Sequence, residues 1–304
     1  MIVVQTKNVS KSFKETLAVD QVDLTIRKGN IYGLIGKNGA GKTTLMRLIV
    51  GLAFPDQGEI SLFGAKDDLR YKEKHRLGVL IEQPVFYENL TARQNLDVHR
   101  ILLDIKDKSV IDEVLKLVKL EDTGKKKAKA FSLGMKQRLG IALALLNKPE
   151  LLILDEPVNG LDPEGVKEVR DILLDLVENK GITVLISSHI LSELSTFATQ
   201  YGFMDNGRMI EQISAIELQK KNQNSMVFEV SDVNKAVEIL KDKFKIAKYR
   251  VKNANVLEIN EQVELLNKIN KALVLGDIEV RSASVIERTL EDYFLSITGG
   301  KNNV

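Results

Sequence analysis

Short, wholly apolar runs punctuate the first two-thirds of this chain. Between them lie longer stretches in which apolar positions recur every third or fourth residue. Ile31-Tyr32-Gly33-Leu34-Ile35, Leu151–Leu154 and Ile182–Ser187 read as strands buried on both faces, as a parallel sheet requires. Ile2–Val4, Ala18–Ile26, Gly58–Phe63 and Leu77–Ile81 read as further strands. A helix is expected over 44–51. Thr91 is placed to cap another containing Leu96, Val98, Ile101 and Leu102, and Val110, Ile111, Val114, Leu115 and Val118 form a second apolar stripe. Asp162 and Pro163 cap and open a helix to about Asn179, with Gly181 at its end, and Asn206-Gly207 predicts a hairpin. Strands alternating with helices predict a doubly wound α/β core.

After about residue 221 the pattern restarts. Strands over 226–230, 247–252, 255–259 and 277–281, with helices over 232–242 and 261–273, give the order βαββαβ of a ferredoxin-like α+β domain. A last helix is expected over 284–296. The predicted organisation is a domain over 1–218 with a helical region at about 88–146, a polar linker over 219–225, and an accessory domain over 226–304.

Composition narrows the partners. The net charge of the 304 residues is +2, which gives no support for nucleic acid as a partner. The one dense basic run, Lys125-Lys126-Lys127-Ala128-Lys129, reads as a solvated loop. There is no cysteine, which excludes disulfides and thiolate metal sites. The start of the chain reads as a strand rather than a signal peptide, and no apolar run is long enough to span a bilayer, so a membrane role is expected to come through a partner.

Candidate chemistry begins at Gly36-Lys37-Asn38-Gly39-Ala40-Gly41-Lys42-Thr43-Thr44, which fits G-x-x-x-x-G-K-[ST] between a strand and a helix. Successive backbone N–H groups of such a loop cradle phosphate oxygens, Lys42 reaches the β- and γ-phosphates, and the Thr43 hydroxyl is offered to Mg²⁺. Asp155 and Glu156 close an apolar strand. In a fold that carries a phosphate loop, that places Asp155 to hold Mg²⁺ and Glu156 to polarise the attacking water. Ser132 is placed to cap a helix running to about Leu146, whose start, Ser132-Leu133-Gly134-Met135, is a second anion site. Two anion sites in one chain mean two ligands, or one ligand held between two copies.

These motifs, in this order over residues 1 to about 215, resemble the nucleotide-binding subunit of an ABC transporter. Gly36–Thr44 resembles the Walker A loop, Leu151–Asp155 the Walker B strand, and Phe131–Met135 the signature motif. Asn159-Gly160-Leu161-Asp162 resembles the D-loop, His189 the switch histidine, and Phe13 the aromatic that stacks on adenine. The resemblance implies a P-loop core with an antiparallel β subdomain and a helical subdomain. It implies ATP and Mg²⁺ as cofactors, with Glu156 and His189 as catalytic residues. It also implies a head-to-tail pair in which Ser132 and the Gly134 N–H meet the γ-phosphate on the other copy. Separate polytopic permease subunits would hold the chain at the cytoplasmic face of the membrane.

Two departures stand out. Leu133 and Met135 replace the first glycine and the glutamine of the usual signature. Glu82 falls where the family carries the glutamine that opens the loop to the helical region, with Gln83 as the alternative reading. A glutamate there is expected to join Asp155 and Glu156 near one metal. With the Ser-Leu-Gly-Met-Lys-Gln-Arg stretch and the ending Leu290-Glu291-Asp292-Tyr293-Phe294-Leu295, it resembles the ATPases of bacitracin-type and lantibiotic self-protection exporters. The alternatives are an exporter ATPase for another substrate, or an ABC-type ATPase acting on ribosomes, DNA or cluster assembly. The single cassette and the lack of a long coiled-coil insertion weigh against ribosomal and DNA-repair members.

Overall fold

The computed structural model describes residues 1–221, 224–286 and 290–298. It divides into two compact units, Met1–Ala215 and Ile216–Val304.

The first unit runs β1 (Ile2–Phe13), β2 (Thr16–Arg27), β3 (Ile31–Ile35), α1 (Lys42–Val50), β4 (Gln57–Leu62), β5 (Ala65–Lys66), α2 (Asp67–Lys72) and β6 (Leu77–Leu80). It continues α3 (Ala92–Leu102), α4 (Ser109–Leu117), α5 (Leu133–Leu145), β7 (Leu151–Asp155), α6 (Pro163–Glu178), β8 (Thr183–Ser188), α7 (Leu191–Ser195), β9 (Gln200–Asp205) and β10 (Arg208–Ser214). One sheet has the order β2-β1-β4-β5 and is antiparallel, and a six-stranded sheet has the order β10-β9-β3-β8-β7-β6.

In the larger sheet β9, β3, β8, β7 and β6 are parallel. Its middle strands are buried on both faces, which is why they carry no alternation: Leu151, Leu152, Ile153 and Leu154 are all fully buried. At about 2 kcal/mol for each such side chain, burial fixes the strand and with it the position of Asp155 at its end. Helix α1 buries Leu45, Met46, Leu48 and Ile49 in a core shared with strands of both sheets. Gln212 of β10 ties the two sheets together. Its Oε1 accepts from Tyr32 Oη at 3.0 Å and from Thr25 N at 3.2 Å, and its Nε2 donates to Asp23 O at 3.0 Å.

Three helices, α3 to α5, stand between β6 and β7. Thr91 forms a capping box with Gln94, and Ser132 and Asp162 cap α5 and α6. Asn206 and Gly207 both take positive φ, 47° and 80°, as the tight turn between β9 and β10 demands.

Helix α8 (Ala215–Lys221) starts on the last residue of the first unit, and the second continues with β11 (Ser225–Val230), α9 (Val233–Phe244), β12 (Tyr249–Val251), β13 (Val256–Ile259), α10 (Leu266–Leu275), β14 (Val280–Ile286) and α11 (Leu290–Ile297). The strand order is β12-β13-β11-β14, antiparallel throughout, over a core of Met226, Phe228, Leu240, Leu257, Ile259 and Leu273 among others.

Several boundaries correct the sequence pattern. The stretch expected as a linker over 219–225 is helix up to Lys221 and strand from Ser225, with 222 and 223 outside the described residues. The strand expected over 277–281 runs Val280–Ile286, because Asp277 takes a left-handed φ of 55° and turns the chain first. Residues 284–286, expected in the last helix, belong to β14; the helix is described over Leu290–Ile297, and residues 287–289 lie outside those described.

Candidate functional site

The phosphate loop leaves the buried end of β3 and enters α1 with Gly41 at φ 100°. A Cβ there would lie 2.4 Å from the Ala18 carbonyl oxygen, so the loop can run against β2 only with glycine at this position. The β9–β10 turn props the loop from below, with Gly207 N donating to Ala40 O at 3.1 Å and Asp20 N to Gly207 O at 2.8 Å. A cavity of about 490 Å³ opens over Asn38 to Thr44. Thr16 to Ala18, Glu156, Asn206 and Gly207 complete its wall.

Lys42 is 5% exposed. Its ammonium donates to Gly36 O at 2.7 Å and Lys37 O at 3.3 Å, and pairs with Glu156 Oε1 at 3.3 Å. Thr43 Oγ1 donates to Asp155 Oδ2 at 2.7 Å. The parallel register sets Asp155 opposite Ser187, whose hydroxyl donates to Asp155 Oδ1 at 2.5 Å and accepts from Glu156 N at 2.9 Å. One serine thus fixes both acidic neighbours. Glu156 takes a left-handed φ of 48°, which turns its side chain back over the loop. His189 Nδ1 lies 2.9 Å from Glu156 Oε2, and Asn159 Nδ2 donates to the same oxygen at 3.3 Å. Both groups expected to read a γ-phosphate, Lys42 and His189, therefore rest on the Glu156 carboxylate.

Glu193 lies behind His189 and accepts from Ser188 Oγ at 3.0 Å. Burial pushes its carboxyl up from the usual glutamate range, and Glu156 adds in the same direction; Ser188 and His189 offset part of the rise.

The structure brings Lys42, Thr43, Asp155, Glu156 and His189 together. Other expected residues stand apart from them. Phe13 is 48% exposed, with Lys11 Nζ 5.6 Å from its ring centroid. It pairs across the β1–β2 hairpin with Thr16, which lines the loop cavity, but does not line it itself. The Ser132 hydroxyl accepts from Met135 N at 3.3 Å, Leu133 is 49% exposed, and Asp162 accepts from Gly165 N at 2.9 Å as a helix cap. Outside its own helix, no described residue comes nearer than 3.9 Å to a Cβ added at Gly134, so packing within the chain does not require a glycine there.

Glu82 lines one cavity with Asp155 and Glu156, and in this structure its carboxylate is paired with Arg47 of α1. Among the described residues no three His, Cys, Asp or Glu groups are disposed to hold a metal ion. The adjacent hydroxyl of Thr43 and carboxylate of Asp155 are hard oxygen donors suited to Mg²⁺, which commonly takes one or two protein groups and completes its shell with phosphate and water. Sequence reasoning missed Ser187, Arg47 and Asn95. Only the strand register could have marked Ser187; the other two carry no motif.

A phosphate-loop motif between β3 and α1, beside a carboxylate pair at the end of β7 and with a helical region between β6 and β7, defines an ATP-binding cassette of the ABC type. The ABC transporter family model matches residues 19–159. The bacitracin transport ATP-binding protein BcrA of Bacillus licheniformis is 42% identical over 299 residues, 98% of each chain. The lantibiotic transport ATP-binding protein SrtF of Streptococcus pyogenes is 41% identical over 229 residues, 73% of this chain and 97% of that one. An ATP-binding cassette solved as a dimer in a post-hydrolysis state bound to ADP and Pi matches with a TM-score of 0.63 at 26% identity, over 70% of this chain and 98% of that one. The chain belongs to the ATP-binding, ATP-hydrolysing proteins of ABC transporters. Among the described residues no helix is long and apolar enough to cross a membrane.

Proposed function

We propose that this chain is the ATP-hydrolysing subunit of an exporter that removes a peptide antibiotic, in the manner of bacitracin resistance. The observation that carries this reading is the extent of the similarity. The bacitracin relative matches 98% of the chain, the second unit included, whereas the lantibiotic relative is a cassette-length protein covering 73%. Two copies pair around ATP, and separate polytopic permease subunits hold them at the cytoplasmic face of the membrane.

In the paired state Lys42 and His189 transfer from Glu156 to the γ-phosphate, and Glu156 is released to polarise water. Ser132 and the Gly134 N–H approach the same phosphate from the other copy, with Asp162 beside that interface; the lack of a packing demand for glycine at Gly134 within its own chain supports this. Phe13 stacks on adenine. Thr43 and Asp155 hold Mg²⁺, which when bound neutralises charge on the phosphates. Glu82 reports the nucleotide state to the permease. The second unit is a ferredoxin-like accessory domain, a reading supported by its strand order with β11 and β13 at the centre.

The test is co-expression with its permease in a bacitracin-sensitive host, with purification from solubilised membranes. Raised resistance, lost with Glu156→Gln, and a copurifying polytopic partner are expected. Recovery with ribosomes, or vesicles that accumulate a non-peptide drug and not bacitracin, would overturn the assignment. Glu82→Gln should alter resistance more than basal hydrolysis; wild-type behaviour in cells would remove its reporting role.

A further inference from the structure

Two unrelieved local features line one cavity of about 740 Å³ that reaches from the carboxylates of the site to the start of α5. The first is Gln137 of α5, which is 9% exposed and whose Oε1 is buried without a hydrogen-bond partner. A sealed amide oxygen has lost the water it bonded in the unfolded chain and gained nothing in return. The second is Glu82, a non-glycine residue at φ 66°, whose side chain is held by Arg47.

The segment between them is short and defined at both ends. Beyond it, the fully buried Asn95 grips Tyr87: Tyr87 N donates to Asn95 Oδ1 at 2.7 Å and Asn95 Nδ2 donates to Tyr87 O at 3.0 Å. Pro84 lies on α5 at Gly140, where an added Cβ would come within 2.6 Å of the Pro84 Cβ. Gly140 and Gln137 are three residues apart and share one helix face. Residues 82–86 therefore ride on the face that carries the unpaired oxygen, between a hinge at Glu82 and an anchor at Tyr87.

The donor follows from the lining. Glu82 and Glu88 offer only acceptors when ionised, Val85 and Phe86 are apolar, and Asn159 has one of its two amide hydrogens turned to Glu156, which leaves it a rival donor only with the second. Lys136 is the helix neighbour of Gln137, and adjacent helical residues do not face each other. Gln83 is exposed, stands next to the hinge, and carries a neutral primary amide.

We propose that Gln83 donates from its side-chain amide to Gln137 Oε1 in a second position of this loop, reached when Glu82 leaves Arg47 and its backbone leaves the left-handed region. One rotation then relieves both features. Gln137 is a positioning residue: it latches the loop and touches no nucleotide. Glu82 and Gln83 divide the work between them, Glu82 as the release and Gln83 as the catch. This rests on the proposed reading of the loop as a reporter of nucleotide state, and adds which atom receives it.

The chain contains no cysteine, so Gln83→Cys with Gln137→Cys in the full-length protein gives a clean pair for a short dithiol-reactive cross-linker. Cross-linking should be several-fold faster with MgATP than without, and equal rates overturn the proposal. Gln83→Leu and Gln137→Leu should each lower permease-coupled turnover by about tenfold, the scale of one hydrogen bond to a buried acceptor, and the double variant should be no worse than either. Additive losses overturn it. Gln137→Leu should melt no lower than wild type, because it deletes an unpaired oxygen; a lower Tm would assign Gln137 a merely structural role. If Glu82→Gln alters resistance while the Gln83–Gln137 cycle is additive, the reporting role of the loop stands and the latch falls.

Discussion

Glu156→Gln is expected to raise ATP affinity while nearly abolishing turnover, and the structure supplies the magnitude of both effects. The carboxylate lies 3.3 Å from the Lys42 ammonium and 2.9 Å from His189 Nδ1. At an effective dielectric of about 20, a charge pair at the first distance attracts by roughly 5 kcal/mol before desolvation. Most of that is offset by removing the ions from water, leaving about 1.5–3 kcal/mol for a hydrogen bond to a charged group. ATP must displace this bond to reach Lys42, so binding competes with Glu156. The neutral amide removes most of the competition, and ATP should bind about 10- to 100-fold more tightly. ADP has no γ-phosphate to take over both donors and should gain less. Loss of the general base should lower turnover by about 10²–10⁴-fold. Equilibrium binding of fluorescent ATP and ADP analogues measures the first effect, and phosphate release the second. ATP affinity equal to or weaker than wild type would refute the parked arrangement, and unchanged turnover would refute the role as base.

Lys42→Ala should weaken ATP binding by at least about tenfold, because the phosphate loses its one buried ammonium; normal affinity in a titration would count against the loop assignment. Asn95→Ala should cost about 1–3 kcal/mol, since it removes the acceptor of Tyr87 N and one of the two donors to Tyr87 O, leaving only Leu90 N at 3.1 Å, and hydrogen exchange over 82–90 should speed up; unchanged protection would show the anchor to be dispensable. Glu193→Gln tests a pH effect. A folded-state value raised above the unfolded one stabilises fully only below the unfolded value, near 4.5, and that stability is lost as pH rises through the folded value. The variant should therefore melt higher than wild type at pH 7, with the advantage shrinking towards pH 4. A constant difference across that range would sink the argument.

Strands buried on both faces were legible nearly to the residue, because nothing but an apolar run survives there. β3, β7 and β8 illustrate this. β1 was not, since it is half-exposed, broken by register shifts and bent at Asn8 with φ 48°. Its length comes from pairing with both β2 and β4 rather than from its own composition. The phosphate loop and the two acidic residues announced themselves by spacing. The state of the site did not. That Lys42 and His189 share Glu156 depends on Ser187, which reaches its place through a parallel register more than thirty positions away along the chain. Glu82 shows the same limit: its identity was visible, but an exposed side chain chooses between a metal and Arg47 by geometry that no local pattern encodes.

The tolerant packing around Gly134, where an added Cβ would meet Leu161 and Gly165 only at ordinary contact distance, separates two kinds of selection. In an isolated chain, alanine at this helical position meets no clash and gains intrinsic helix propensity of up to about 1 kcal/mol. A screen that scores folding, expression or melting would thus rank Gly134→Ala as neutral or improved. The damage would surface only when something from outside had to come close. On the proposed pairing the sharpest demand on this residue is imposed by a neighbour, and a survey of the lone subunit would read the position as free to vary.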